Sequence, residues 1–123
     1  MEPQAQPVES ISAVTLVTLD MAASVAFYEA LGFGLRYGGS EAPFTSFGVG
    51  NSYLNLQRGT DVAPVVWGRV VFWVDDVDRM YRRALAAGFE PATSPADAAW
   101  GERYFHIHDP DGHELSFARP LHG

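Results

Sequence analysis

The side chains with chemistry to offer cluster late in the chain. His106 and His108 are separated by one residue, and strand alternation would put both imidazoles on one face together with Tyr104. A metal held there needs at least a third donor, and Glu114 or His113 would supply it only in the right hairpin register. The plainer reading is a hydrogen-bonding histidine on a pocket wall or sheet rim. Arg69 follows Gly68 at the start of an otherwise apolar strand, on the face shared by Val71 and Trp73. It is either a strand-end arginine in solvent or a pocket arginine, paired with Glu114 or holding an anionic or carbonyl group of a ligand. Trp67, Trp73 and Trp100, with Tyr53 and Tyr104, are dense for so small a chain. Most aromatics are core. Trp100, in a loop, and Trp73 are the two expected to line a pocket. Asp75 and Asp76 read as a strand-end carboxylate and a helix cap rather than an acid–base pair.

The elements that position these residues come from a pattern written twice. Residues 13–33 read strand, Asp20, helix, Gly32, Phe33, and residues 69–89 repeat this as strand, Asp76, helix, Gly88, Phe89, at a constant offset of 56. Such a repeat marks one supersecondary unit used twice, each copy burying the apolar face of the other. In the first copy Met21, Ser24, Val25, Tyr28 and Leu31 share a helical face; in the second Val77, Met80, Tyr81, Ala84 and Leu85 do, with Arg79, Arg82 and Arg83 off the stripe on a solvated side. Gly32 ends the first helix in the left-handed conformation.

Short β segments follow each helix. In the first half they are residues 35–37, 44–49 and 52–57, the last two joined by a turn at 48–51. In the second they are 90–93, 102–108 and 113–118, with a loop at 94–101 and a type I turn at Asp109-Pro110-Asp111-Gly112. Residues 1–9 read as a loose arm and 58–65 as the link between copies. Each half thus spells βαβββ. The expected fold is α+β: two βαβββ modules in tandem, at about residues 10–58 and 66–120 of one domain over 1–123, forming a curled mixed β-sheet cleft with the helices outside.

Composition removes several kinds of function. With 15 acidic and 8 basic residues the net charge is −7, which argues against nucleic acid. All the basic residues are arginine, and lysine and cysteine are absent. Schiff-base chemistry, thiol catalysis, disulfides and cysteine zinc sites are thereby excluded. No apolar run approaches a membrane span and no signal segment opens the chain, so a cytoplasmic location is expected. The Gly48-Val49-Gly50 run lacks a third glycine and does not open a helix, against a dinucleotide loop.

The set Asp20, Ser24, Phe27, Tyr28, Leu31, Gly32, Phe33, with Asp109-Pro110-Asp111-Gly112 before the last strand, resembles the glyoxalase, bleomycin-resistance and extradiol-dioxygenase superfamily, the vicinal oxygen chelate fold. The resemblance covers about residues 10–120. Residues 100–105, Trp-Gly-Glu-Arg-Tyr-Phe, resemble the Trp-Gly-Arg-Glu-Phe run of the bleomycin-resistance branch, with the charged pair in reverse order.

Metalloenzymes of this superfamily carry one ligand on each of four strands. The resemblance places those positions at Ala13, Asn55, Arg69 and Ser116, none of which is a strong donor. It therefore implies a small-molecule binding protein with no metal, no cofactor and no assigned catalytic residue. The ligand would be of the antibiotic or toxic-metabolite kind, and the protein a homodimer. The expected ligand-binding residues are Tyr53, Asn55, Arg69, Trp73, Trp100, Tyr104, His106, Glu114 and Ser116. The alternatives are a metal-dependent lyase or dioxygenase of the same superfamily, a metal-independent isomerase or hydrolase with His106 as general base, and a structural partner without a ligand.

Overall fold

A computed structural model describes residue 7 and residues 9–60 and 68–121. Most of the expected arm at 1–9 and of the link at 58–65, together with Trp67, lies outside the described residues. The first half runs β1 (Ala13–Thr18), α1 (Met21–Ala30), β2 (Gly34–Tyr37), β3 (Phe44–Val49) and β4 (Ser52–Arg58). The second runs β5 (Arg69–Trp73), α2 (Val77–Ala86), β6 (Ala96–Asp97), β7 (Glu102–His108) and β8 (Glu114–Pro120). The strands form two four-stranded sheets of matching order, β1-β4-β3-β2 and β5-β8-β7-β6. In each, the strand before the helix pairs parallel with the last strand, and the remaining pairs are antiparallel. This is the α+β, tandem βαβββ architecture that the repeat implies.

The caps explain why the two copies begin alike. The Asp20 carboxylate accepts from the Ala23 amide at 3.0 Å, and the Asp76 carboxylate from the Arg79 amide at 2.9 Å. Gly32 and Gly88 then turn the chain out of each helix at φ of 99° and 88°, a region costly for a residue with a Cβ. The apolar face of α1 is buried as its spacing predicts, from Met21 to Leu31. On α2 the stripe is narrower than expected. Val77 and Ala84 are buried, but Leu85 is 48% exposed at the stripe's edge.

One expected strand is displaced. Residues 90–93 form no strand, and the short edge strand comes instead at Ala96–Asp97. Pro91 cannot donate to a ladder, and the Ala92 and Thr93 amides both point to the His106 carbonyl rather than to successive partners. Only at Ala96, opposite Tyr104, does regular pairing begin.

The two halves share one core. Phe33, just past α1, meets Phe47 of its own sheet and Phe72 and Phe117 of the other, with ring centroids 5.1 to 6.3 Å apart. Phe27 packs on Phe89 at 4.7 Å. A polar clasp joins the halves along α1 and the residue before its cap. The buried Tyr28 hydroxyl donates to Asp109 Oδ2 at 2.7 Å, the Ser24 hydroxyl to Asp111 Oδ2 at 2.9 Å, and the Leu19 amide to Asp111 Oδ1 at 2.9 Å. His113 Nε2 donates to the Val17 carbonyl at 2.8 Å. Burial pushes the Tyr28 hydroxyl well up from its ordinary pKa, with the Asp109 charge adding to the effect. Burial also raises Asp109, against the hydrogen bonds it accepts from Tyr28 and from the His113 amide.

Removing only the Tyr28 hydroxyl leaves a buried carboxylate short of a donor, which costs about 1–3 kcal/mol. Tyr28→Phe should lower the urea-unfolding free energy by that amount with an unchanged slope. A variant as stable as the parent would show that the clasp carries no weight.

Candidate functional site

The core takes one face of each sheet and leaves the other open. In β5 the residues Arg69, Val71 and Trp73 alternate outward while Phe72 is buried. In β8 Phe117 and Leu115 turn inward, so Glu114, Ser116 and Ala118 share the open face; in β7 Glu102, Tyr104, His106 and His108 do. The ladder sets Arg69 opposite Glu114, and His106 opposite Ser116.

These residues converge. A cavity of about 180 Å³ is lined by Arg69, Val71, Trp100, Glu102, Tyr104, His106, Ser116 and Ala118. Trp100 stacks on Tyr104 at 5.8 Å and 26°, and Tyr104 leans on the His106 ring at 5.0 Å, giving a stepped aromatic wall. The Trp100 indole N–H donates to Glu102 Oε1 at 2.8 Å, which fixes the ring that begins the wall. Opposite it, Arg69 Nε donates to Glu114 Oε2 at 2.7 Å. The pair expected from the sequence is therefore formed, but the Arg69 side chain is 47% exposed and the Glu114 side chain 29%. At that exposure an ion pair contributes about 0.2–1 kcal/mol. The Arg69 terminal nitrogens make no hydrogen bond among the described residues, and they remain available to a ligand.

His106 Nδ1 and Ser116 Oγ lie 2.6 Å apart and share a hydrogen bond, with Ser116 almost wholly buried. Burial lowers the pKa of His106; the Arg69 charge and His108 push the same way, and Glu114 opposes them. The shift favours the neutral imidazole, and with Nδ1 engaged by Ser116 its Nε2 is the ring nitrogen left to donate or accept.

The other expected ligand-binding residues stand apart. Trp73 is on the same open face but 68% exposed and off the cavity wall. Tyr53 and Asn55 are on the open face of the first sheet, where the Asn55 amide nitrogen donates to Thr15 Oγ1 at 3.3 Å. Tyr53 lines a separate apolar gap of about 200 Å³, lined also by Val71 and Phe72. Glu102 and Ala118 were not singled out from the sequence. Their signal was available, because Glu102 alternates with Tyr104 and His106, and Ala118 pairs with Tyr104 across the ladder.

Metal donors do not fit the superfamily pattern. Ala13 has no donor atom, Arg69 is a cation, Ser116 is engaged by His106, and Asn55 is a weak ligand. Among the described residues the His106-x-His108 pair belongs to no cluster of three donors. Among the described residues one cluster of three or more His and Asp/Glu side chains converges, Asp109, Asp111 and His113, with ligand atoms within 4.8 Å. Its oxygens are already taken by the clasp: Asp109 Oδ1 accepts the Asp111 and His113 amides, and Asp109 Oδ2 and both Asp111 oxygens accept donors from the first half.

Residues 10–117 match the sequence profile of the Glyoxalase/Bleomycin resistance protein/Dioxygenase superfamily. The chain belongs to that superfamily. Rv0887c of Mycobacterium tuberculosis is 44% identical over 48 residues, which cover 39% of this chain and 28% of that protein. The match thus spans under a third of that relative's length. A crystal structure of a glyoxalase/bleomycin resistance protein/dioxygenase from Nocardioides superposes with a TM-score of 0.71 at 27% identity, covering 97% of this chain and 88% of that one. A bleomycin-binding protein in complex with bleomycin gives a TM-score of 0.72 at 24% identity, over 91% and 98% of the two chains, a likeness of fold. Among the described residues no helix is long and apolar enough to cross a membrane.

Because the folded-state pKa of His106 is depressed, its contribution to stability is present above the unfolded value, near 6.5, and is lost as pH falls through and below it. Thermal melts should therefore show the parent losing more stability than His106→Gln between neutral and mildly acidic pH. Parallel curves for the two proteins would mean that His106 is not held neutral by its surroundings.

Proposed function

We propose that this member of the superfamily is a small-molecule binding protein that works without a metal, and that its ligand lies on the open face of the second sheet. The observation that carries the reading is the wall Trp100–Tyr104–His106 sharing one cavity with Arg69, which is itself paired with Glu114. Aromatic faces offer stacking area at low entropic cost, and the polar pair orients what stacks there. The cavity, at about 180 Å³, is smaller than the usual range of roughly 300–1,000 Å³ for drug-sized ligands. It therefore suits one ring system, with the rest of a larger ligand reaching along the face. The named relatives include a bleomycin-binding protein, and an antibiotic or toxic metabolite fits a site of this kind.

A metal-dependent lyase or dioxygenase is the weaker reading, because the four positions such chemistry requires are Ala13, Asn55, Arg69 and Ser116. The residue types at those positions, not an empty site, carry that judgement.

A homodimer belongs to the same proposal. Val71 is 51% exposed, Trp73 68% and Trp100 71%, all on or beside one sheet face. An open face of this size in water is covered in solution by a second copy or by ligand.

Two measurements test the proposal. Screening planar aromatic compounds by intrinsic fluorescence should find saturable quenching that Trp100→Ala and Tyr104→Ala weaken by about tenfold or more, in line with ~1–3 kcal/mol for a lost stacking partner. Light scattering should return twice the chain mass. Saturable binding unaffected by both substitutions would place the ligand elsewhere, and a clean monomer would remove the dimer from the proposal.

A further inference from the structure

The open face of the first sheet carries a cation that the reading so far does not use. β2 pairs with β3 through an irregularity between Leu35 and Tyr37, and Arg36 is the residue at the bulge. Bulges re-aim side chains. Gly34 stands opposite Gly48, and Gly48 opposite Tyr53, which in turn stands opposite Ala13. The Arg36 guanidinium lies in the space these glycines leave. A Cβ at Gly48 would sit 2.9 Å from its Nε and 3.1 Å from its Cζ, and one at Gly34 would sit 3.3 Å from Nη1. Arg36 is exposed and makes no ion pair or hydrogen bond among the described residues. Among the described strand residues, the face it crosses holds Ala13, Thr15, Val17, Tyr53, Asn55, Gln57, Phe44 and Ser46, none of them acidic.

We propose that Arg36 forms an oxyanion subsite on this face, for a carboxylate or phosphate group of a small molecule. The proposal rests on the reading of the open sheet faces as small-molecule sites. A guanidinium is charged at every working pH and presents paired donors that match a planar or tetrahedral oxyanion. Two glycines side by side on a strand pair weaken the sheet; here they leave room for a guanidinium close over the backbone, and Gly48 is the ladder partner of Tyr53. In a chain of net charge −7, a cation with no ion-pair partner among the described residues is a place where an anion meets less repulsion. Tyr53 and Val71 line one gap, so the face bearing Arg36 continues to the second sheet.

The test uses benzoate, phenyl phosphate and the neutral benzamide, followed by amide and guanidinium NMR resonances of the full chain. Benzoate or phenyl phosphate should shift the Arg36 Nε, Gly48 and Tyr53 signals saturably, at least tenfold more tightly than benzamide. Whichever binds more tightly identifies the oxyanion. Arg36→Gln should abolish the preference. Gly48→Val keeps the charge but displaces the guanidinium, and should abolish it too. Equal binding of benzamide, or a preference that survives Arg36→Gln, overturns the subsite. Quenching of Trp100 by aromatic compounds with no shift at Gly48 or Tyr53 would overturn the subsite and leave the second-sheet site standing. Shifts at Gly48 and Tyr53 with no compound acting on Trp100 would do the reverse.

Discussion

The structure depends on one turn, Asp109 to Gly112, and on what its two carboxylates accept. Asp109 and Asp111 take donors from Tyr28, Ser24 and the Leu19 amide, on or just before α1 in the other half. The same residues serve local needs. Asp109 Oδ1 caps the turn through the Asp111 and His113 amides. A turn that is rigid by itself can hold a helix from outside it, and a buried, fully hydrogen-bonded network of this kind specifies one arrangement better than apolar packing alone. With the aromatic contacts of Phe33 and Phe27 at the far end of α1, the two modules are fixed at two points. Both sheets then put their apolar faces into the shared core and leave the opposite faces free.

That division explains where the chemistry lies. A sheet face that is not needed for the core can carry groups the core would reject: a half-exposed ion pair, a neutral imidazole on a buried serine, an indole held by a glutamate. None of these is assembled as a nucleophile with a base and an orienting third group. Together they form a surface with area, direction and a few fixed polar contacts, the features on which the proposed recognition rests.

Much of this was legible in the sequence because it follows from local physics. Asp20 and Asp76 cap, Gly32 and Gly88 stop, and the helical spacing of Met21 to Leu31 buries one face, so the repeat implied the fold. Strand alternation placed Arg69, Tyr104, His106, Glu114 and Ser116 together for the same reason. Features that depend on register were hidden. The edge strand at Ala96–Asp97 is too short to carry a pattern, and residues 90–93 looked like a strand until the pairing of Ala92 and Thr93 with one carbonyl was seen. The bulge that swings Arg36 over Gly48 has no sequence signal except the glycines themselves. Asn55 was grouped with the second-sheet residues by the superfamily resemblance and Tyr53 by the density of aromatic residues, whereas both occupy the first sheet's own face.

The central claim is recognition without a metal, and it is a claim about donor atoms. On the four strands where this superfamily binds ions the chain has a methyl group, an amide, a guanidinium and a serine already paired with His106. The most direct measurement is calorimetric titration of chelator-treated, tag-free protein with zinc, nickel, manganese and ferrous ions, with elemental analysis of the dialysed product. The account predicts no saturable heat and no ion retained in proportion to chain. One ion per chain, held through dialysis and released by chelation with loss of ligand binding, would contradict it.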